Sequence, residues 1–243
     1  MLENYTGYFM GRTLAQISGR LGGARSVFVK LQGVKNELVY PPFGGQVQNP
    51  FKGVAKIFAG DLMEYRLDDK GENPKIYLLK TYKVQTMSTT TTVHIYRDDY
   101  SHIPFVGDVL MKAPATIVGT GKAYTVTAVE QSTNDGHNTW KLTFNKGIDS
   151  CFDGDVLVEA ESVGESSKMV VKAINAVAAN DYDFLVAPVA TVGSSEDADF
   201  NNARYYLTPA LGGLMYISKM SPMPKCVLDL NKCNIKGWFQ VQI

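Results

Sequence analysis

The pattern Phe-x-Gly-Asp, followed each time by two aliphatic or Met residues, occurs three times: Phe58-Ala59-Gly60-Asp61-Leu62-Met63, Phe105-Val106-Gly107-Asp108-Val109-Leu110 and Phe152-Asp153-Gly154-Asp155-Val156-Leu157. The phenylalanines are 47 residues apart both times. Glycine lets the chain reverse, aspartate accepts backbone N–H groups inside the turn, and the flanking apolar residues anchor a new strand. The spacing predicts three equivalent turns, with Phe58, Phe105 and Phe152 packed inward. Lys75 and Tyr77 recur at the same offset as Lys122 and Tyr124, and Val93 and Ile95 as Trp140 and Leu142. A duplicated β unit is therefore expected.

The rest of the chain from about residue 57 agrees with that expectation. Runs rich in β-branched and aromatic residues follow one another: KIYLLKTYKV, TTTTVHIY, KAYTVTAVE, NTWKLTF, KMVVKAINAV and YDFLVAPVATV. Between them lie turn clusters such as DDKGENP, STNDGHN and ESVGESS. Strands joined by short turns predict a mainly β fold, an antiparallel sandwich or barrel.

Three segments are distinguished. Residues 1–56 form an N-terminal arm that carries nine of the 22 glycines, the pair Pro41-Pro42 and Pro50. Within it, RTLAQISGRL places Leu14, Ile17 and Leu21 on one face of a short helix, and PPFGGQVQNPFKG reads as a connector that lies on something. Residues 57–200 are the β body, and residues 201–243 a C-terminal β segment. In that last segment Trp238, Phe239, Val241 and Ile243 form an apolar set alternating with Gln240 and Gln242, a half-buried strand that must be covered by the body or a neighbouring copy.

Charge is balanced overall, with 24 basic and 24 acidic side chains, which argues against a nucleic-acid binder that works by phosphate neutralisation. The arm is nevertheless basic: Arg12, Arg20, Arg25, Lys30, Lys35, Lys52 and Lys56 stand against Glu3 and Glu37. It suits docking on an acidic protein surface, or else solvation as an extension. No apolar run reaches the length of about 18 residues of a membrane helix, and the start lacks the basic-then-apolar order of a secretory signal. Three cysteines, Cys151, Cys226 and Cys233, show no Cys-x-x-Cys spacing. These features predict synthesis in a reducing cytoplasm and no membrane association.

Catalytic chemistry finds few places to reside. His94, His102 and His137 lack His-x-His and His-Glu-x-x-His spacing and read as surface or turn histidines. No Gly-x-Ser-x-Gly elbow, P-loop or dinucleotide fingerprint is present. Cys151 has no basic sequence neighbour and reads as a buried structural thiol. Asp149, Asp153 and Asp155 fit no calcium-loop spacing and read as turn caps, as do Asp61 and Asp108. No catalytic residue, metal or cofactor is expected. A carbohydrate-binding or adhesin-like module remains the alternative, and it would need an exposed aromatic platform; Trp140 and Trp238 lie among apolar neighbours and are expected to pack instead.

The basic Gly/Pro-containing arm, the Phe-x-Gly-Asp strand starts and the tail LGGLMYISKMSPMPKCVLDLNKCNIKGWFQVQI together resemble the accessory head proteins of tailed bacteriophages, the decoration, auxiliary-capsid and head-fibre class, including those of phages infecting gut Bacteroides-like bacteria. The resemblance implies a virion protein, made in the host cytoplasm, that binds the assembled shell without catalysis, often as a trimer. Its contacts would be capsid or other virion proteins, reached through the arm (Arg12, Arg20, Arg25, Lys30, Lys35) and the C-terminal strand (Trp238, Phe239, Val241, Ile243).

Overall fold

The computed structural model describes residues 41–51, 55–67, 74–98, 101–184, 206–211, 213–215, 221–228 and 238–240. The short helix expected near residues 12–21 and the arm residues Arg12, Arg20, Arg25, Lys30 and Lys35 lie outside them, as do Val241 and Ile243.

The fold is mainly β. Its strands are β1 (Gly45–Val47), β2 (Ala55–Ile57), β3 (Leu62–Arg66), β4 (Lys75–Leu78), β5 (Thr81–Thr89), β6 (Thr92–Tyr96), β7 (Val109–Lys112), β8 (Thr120–Asn134), β9 (His137–Phe144), β10 (Val156–Glu159), β11 (Gly164–Lys168), β12 (Ala176–Val177), β13 (Tyr182–Phe184), β14 (Tyr206–Leu207), β15 (Gly213–Met215) and β16 (Trp238–Gln240). A single turn of helix, α1 (Lys225–Leu228), is the one helix among the described residues.

Six strands close on themselves. β8 pairs with β7, β7 with β10, β10 with β5, β5 with β6, β6 with β9, and β9 returns to β8, every pair antiparallel. Closure removes the free edges of these strands. Alternation then sends one face of each strand inward: Tyr82, Val84, Val93, Ile95, Leu110, Tyr124, Val126, Trp140, Leu142, Phe144 and Leu157 fill the barrel. Trp140 packs as expected. The longest hairpin, β8–β9, turns at Asp135 (φ 47°) and Gly136 (φ 72°), the doubly left-handed turn whose twist matches that of the strands.

A second sheet runs β12-β3-β4-β1-β14, antiparallel except for β1 beside β4. The described part of the connector, residues 41–51, thus contributes a strand of its own, β1, paired with strands of its own chain. Gly45 stands where a Cβ would come within 2.8 Å of Ile76, so only glycine lets β1 approach that closely. The outer sides of β7 and β10, through Met111, Val156 and Val158, share a core with Leu62, Val177 and Ile174 and so join barrel to sheet.

The three Phe-x-Gly-Asp turns have the same geometry to the level of individual hydrogen bonds. Gly60, Gly107 and Gly154 have φ of 89°, 87° and 83°. The N–H groups of Asp61, Asp108 and Asp155 donate to the carbonyls of Phe58, Phe105 and Phe152 (2.9, 3.1 and 3.0 Å). In return the three carboxylates accept the phenylalanine N–H groups, each at 2.8 Å. Each turn also grips one residue of a more distant segment: the glycine N–H donates to its carbonyl, and its N–H donates to the aspartate carbonyl. That residue is Ala178 for the first turn, Val126 for the second and Val84 for the third.

The partners expose the topology. Val126 belongs to the second unit itself, whereas the first unit's turn is closed by Ala178 of the third unit and the third unit's turn by Val84 of the first. The exchange keeps register: Leu62 faces Val177 and Met63 faces Ala176, while Val156 faces Lys83 and Leu157 faces Tyr82. The hairpins following turns one and three match too, with Arg66 opposite Lys75 and Ala160 opposite Met169. In unit two the return strand β8 runs on unbroken and closes its own turn. In units one and three the return strand stops and the chain crosses to the other unit.

Those stops correct two expected strands. KIYLLKTYKV breaks at Leu79-Lys80, where the Lys80 side chain turns inward. KMVVKAINAV is not one strand: β11 ends at Lys168 and β12 begins at Ala176, with Asn175 between them gripping the Tyr65 backbone through both amide atoms (2.7 and 2.8 Å). TTTTVHIY loses its start to a tight turn at Thr90-Thr91. The additional spacings have a different origin from the repeat. Val93 faces Leu142 and Ile95 faces Trp140 across β6 and β9, so they are neighbours rather than equivalents. Tyr124 pairs with Leu110 but Tyr77 with Glu64, a slip of one residue that turns Tyr124 into the barrel and leaves Tyr77 outside it.

The expectation that all three phenylalanines pack inward fails for one of them. Phe58 and Phe105 are each 3% exposed, but Phe152 is 71% exposed. Phe51 covers Phe105, with ring centroids 6.5 Å apart; against Phe152 stands the Lys112 ammonium, 5.4 Å from its ring centroid. Backbone hydrogen bonds and the Asp155 carboxylate hold the third turn, so its geometry survives the loss of that packing.

Candidate functional site

The buried ionisable groups are concentrated where segments meet. Asp61 accepts hydrogen bonds from the Phe58 N–H and from the Ser221 hydroxyl (2.6 Å). His102 completes this node. Its Nδ1 accepts the Thr81 N–H at 2.9 Å, which leaves the proton on Nε2, 3.1 Å from Asp61 Oδ2. His94 and His102 are therefore buried, contrary to the surface placement expected for them, while His137 is exposed at the start of β9. The reason is that β6 and the Ser101–Phe105 segment carry their histidines against other strands. Burial, followed by the charge of Lys141, holds the His94 imidazole below its ordinary pKa.

A second node joins the N-terminal segment to the barrel. Lys80, 2% exposed, donates to Glu159 Oε1 and to the Pro50 carbonyl, both at 3.0 Å, and its ammonium lies 5.0 Å from the Phe51 ring centroid. Asn49 donates to Glu159 Oε2 (2.6 Å) and grips the Leu78 backbone through both amide atoms (2.7 and 2.9 Å). In a third node Glu64 accepts Arg66 through Nε and a terminal nitrogen, and the Lys172 N–H at 2.8 Å. Each node spends its charges on holding chain segments together.

Cys151 is buried among the barrel residues, and burial pushes its thiol up to about 12. That matches its reading as a structural thiol. The acidic trio does not converge: Asp149 accepts the Lys122 N–H (3.0 Å), Asp153 the Tyr96 hydroxyl (3.0 Å), and Asp155 its own turn amide and Lys112. No cluster of three or more His, Cys, Asp or Glu able to hold a metal occurs among the described residues.

Among the described residues two aromatic rings are largely exposed, Phe43 (70%) and Phe152 (71%), and it is Phe152, at the third turn, that has charged side chains around it. Beside Phe152, the Lys112 ammonium sits 2.7 Å from Asp155 Oδ2 and donates to the Ser150 carbonyl at 2.8 Å. Burial alone would raise the Asp155 carboxyl, but the bonds from Lys112 and the Phe152 amide outweigh it and hold the group below its usual value. Asp153 links this turn to Tyr96, whose ring has the Lys83 ammonium 5.0 Å from its centroid and the His137 ring edge-on at 5.4 Å. Partial desolvation and the Asp153 carboxylate hold the Tyr96 phenol above its ordinary value. Sequence reading missed this strip, because Lys83, Tyr96, Lys112, His137 and Phe152 come from five separate stretches.

Of the expected assembly residues, Trp238 and Phe239 fall in β16, whose backbone runs parallel to β15 with Gly213 opposite Trp238 and Leu214 opposite Phe239. No helix among the described residues is long and apolar enough to cross a membrane. No protein-family model, curated protein or solved structure matches this chain.

Proposed function

We propose that this chain is a non-catalytic structural protein of a tailed-bacteriophage particle, one that binds the assembled shell and decorates or reinforces it. The observation that carries this reading is the use made of the buried ionisable side chains. His102 has both ring nitrogens engaged, and Lys80, Glu159, Glu64 and Asp61 are fastened to backbone or to each other. Chemistry of that kind rigidifies a scaffold. The segment order supports it as well: a basic arm precedes a β body and a β tail. In this reading the arm, with Arg12, Arg20, Arg25, Lys30 and Lys35, docks on capsid or other virion proteins, and the C-terminal strand with Trp238, Phe239, Val241 and Ile243 is covered within a homo-oligomer.

The test is co-sedimentation of the purified chain with phage particles that lack it, comparing full length with a deletion of residues 1–40. Cutting at residue 40 leaves β1 intact. The full chain is expected to pellet with the particles at saturating, fixed stoichiometry, and the deletion to stay folded in the supernatant. Equal binding by the two would remove the anchoring role from the arm.

A further inference from the structure

In the third turn the backbone and the Asp155 carboxylate meet what the fold requires, without the Phe152 ring. Gly154 supplies the left-handed conformation, Asp155 caps the Phe152 amide, and Val84 closes the turn by two hydrogen bonds. The Phe152 ring adds no core packing there, yet it projects into water at 71% exposure, the largest value among the exposed apolar side chains described. Lys112 lies against this ring, and through Asp153 the turn continues to a second ring, Tyr96, with His137 and Lys83 beside it. Asp153 is a carboxylate acceptor, Tyr96 and His137 pair a ring face with polar atoms, and Lys83 and Lys112 supply ammonium donors. The two lysines and the carboxylates of Asp153 and Asp155 balance in charge.

We propose that this strip, Lys112, Phe152, Asp153, Tyr96, His137 and Lys83, is a saccharide-binding surface for a neutral glycan. A pyranose has apolar C–H faces rimmed by hydroxyls that both donate and accept. Two aromatic rings, Phe152 and Tyr96, edged along the strip by carboxylate, imidazole and ammonium groups, offer the complementary arrangement. Charge balance disfavours an anionic ligand. A protein hot spot would set the ring among further apolar residues and shield it with a rim; here the residues following Phe152, Asp153 and Gly154, are themselves exposed. On a particle-bound protein such a surface would face outward to meet cell-surface or matrix glycans, although saccharide binding does not depend on the particle role.

The experiment is a printed array of neutral and acidic oligosaccharides probed with the full chain and with the variants F152A, F152W and V118A, with particle co-sedimentation measured in parallel. Val118 is a second exposed apolar residue and serves as the control. The wild-type chain is expected to bind a set of neutral glycans. F152A should lower that signal at least about ten-fold, F152W should retain or raise it, and V118A should leave it unchanged. Absence of wild-type binding to every neutral glycan, or equal binding by F152A, overturns the proposal. Loss of co-sedimentation by F152A with no glycan binding by any form also overturns it, making the strip a protein contact. Loss of glycan signal with co-sedimentation intact supports it and leaves the particle role standing.

Discussion

Val84 and Ala178 hold the same position in each other's repeat: each lies 26 residues after its own unit's phenylalanine, and each closes the other unit's Gly-Asp turn with the same pair of backbone hydrogen bonds. Two copies of a turn-strand-hairpin unit that close each other reciprocally form a self-complementary pair, with the self-closing second unit inserted between them. This relationship makes the three aspartates comparable in a single experiment. Asp61 and Asp108 are buried, so D61A and D108A each orphan a buried phenylalanine amide and should cost about 1–3 kcal/mol in urea unfolding. D155A should cost less, about 1 kcal/mol or below, because water reaches the exposed third turn. Equal costs at all three positions would mean that burial does not govern these caps.

The Lys80 node predicts strong coupling. Removing the ammonium in K80M leaves Glu159 Oε1 and the Pro50 carbonyl without their buried donor and the Glu159 charge without its counter-ion, and breaking such a pair costs about 3–5 kcal/mol. The double variant K80M/E159L should be more stable than K80M alone. A K80M chain of wild-type stability would show that the pair is not holding residues 49–51 on the barrel.

Cys151 and Cys226 should be inert in the native protein. The thiolate is the reactive form, and burial holds both the Cys151 and Cys226 thiols above their ordinary values. In a C233S variant at pH 8, alkylation by iodoacetamide should require denaturant. Rapid native alkylation at Cys151 would contradict its place in the barrel.

Stability should fall on mild acidification. The His94 pKa is lowered in the fold from 6.5, so the folded state favours the neutral ring. The contribution of such a group is fully present above 6.5 and is lost as pH falls from there through the lower folded value. Urea midpoints measured from pH 7.5 down to 5 should decline, and H94N should flatten that decline. An H94N profile parallel to wild type would assign the dependence to another group.

What could be read from the sequence was local, and what could not was long-range. The Phe-x-Gly-Asp turns are specified within four residues, and their geometry follows from a glycine at positive φ and an aspartate reaching back to an amide. The strand runs of β8 and β9 were legible for the same reason. The exchange between units was not, since Gly60 meets Ala178 and Gly154 meets Val84 through backbone atoms that leave no side-chain signature. Phe152 misled because its sequence context copies that of Phe58 and Phe105, while its burial depends on what crosses over it. His102 read as a loop residue, because nothing near it in sequence announces that Thr81 and Asp61 converge on its two nitrogens.

Quantitative mass spectrometry of purified tailed-phage particles assembled in cells that make this chain tests the proposed assembly role most directly. The account predicts the chain in washed, DNA-filled heads at a fixed copy number relative to the major capsid protein, unchanged across preparations. Its absence from those particles, or a copy number that falls toward zero with washing, would contradict the account.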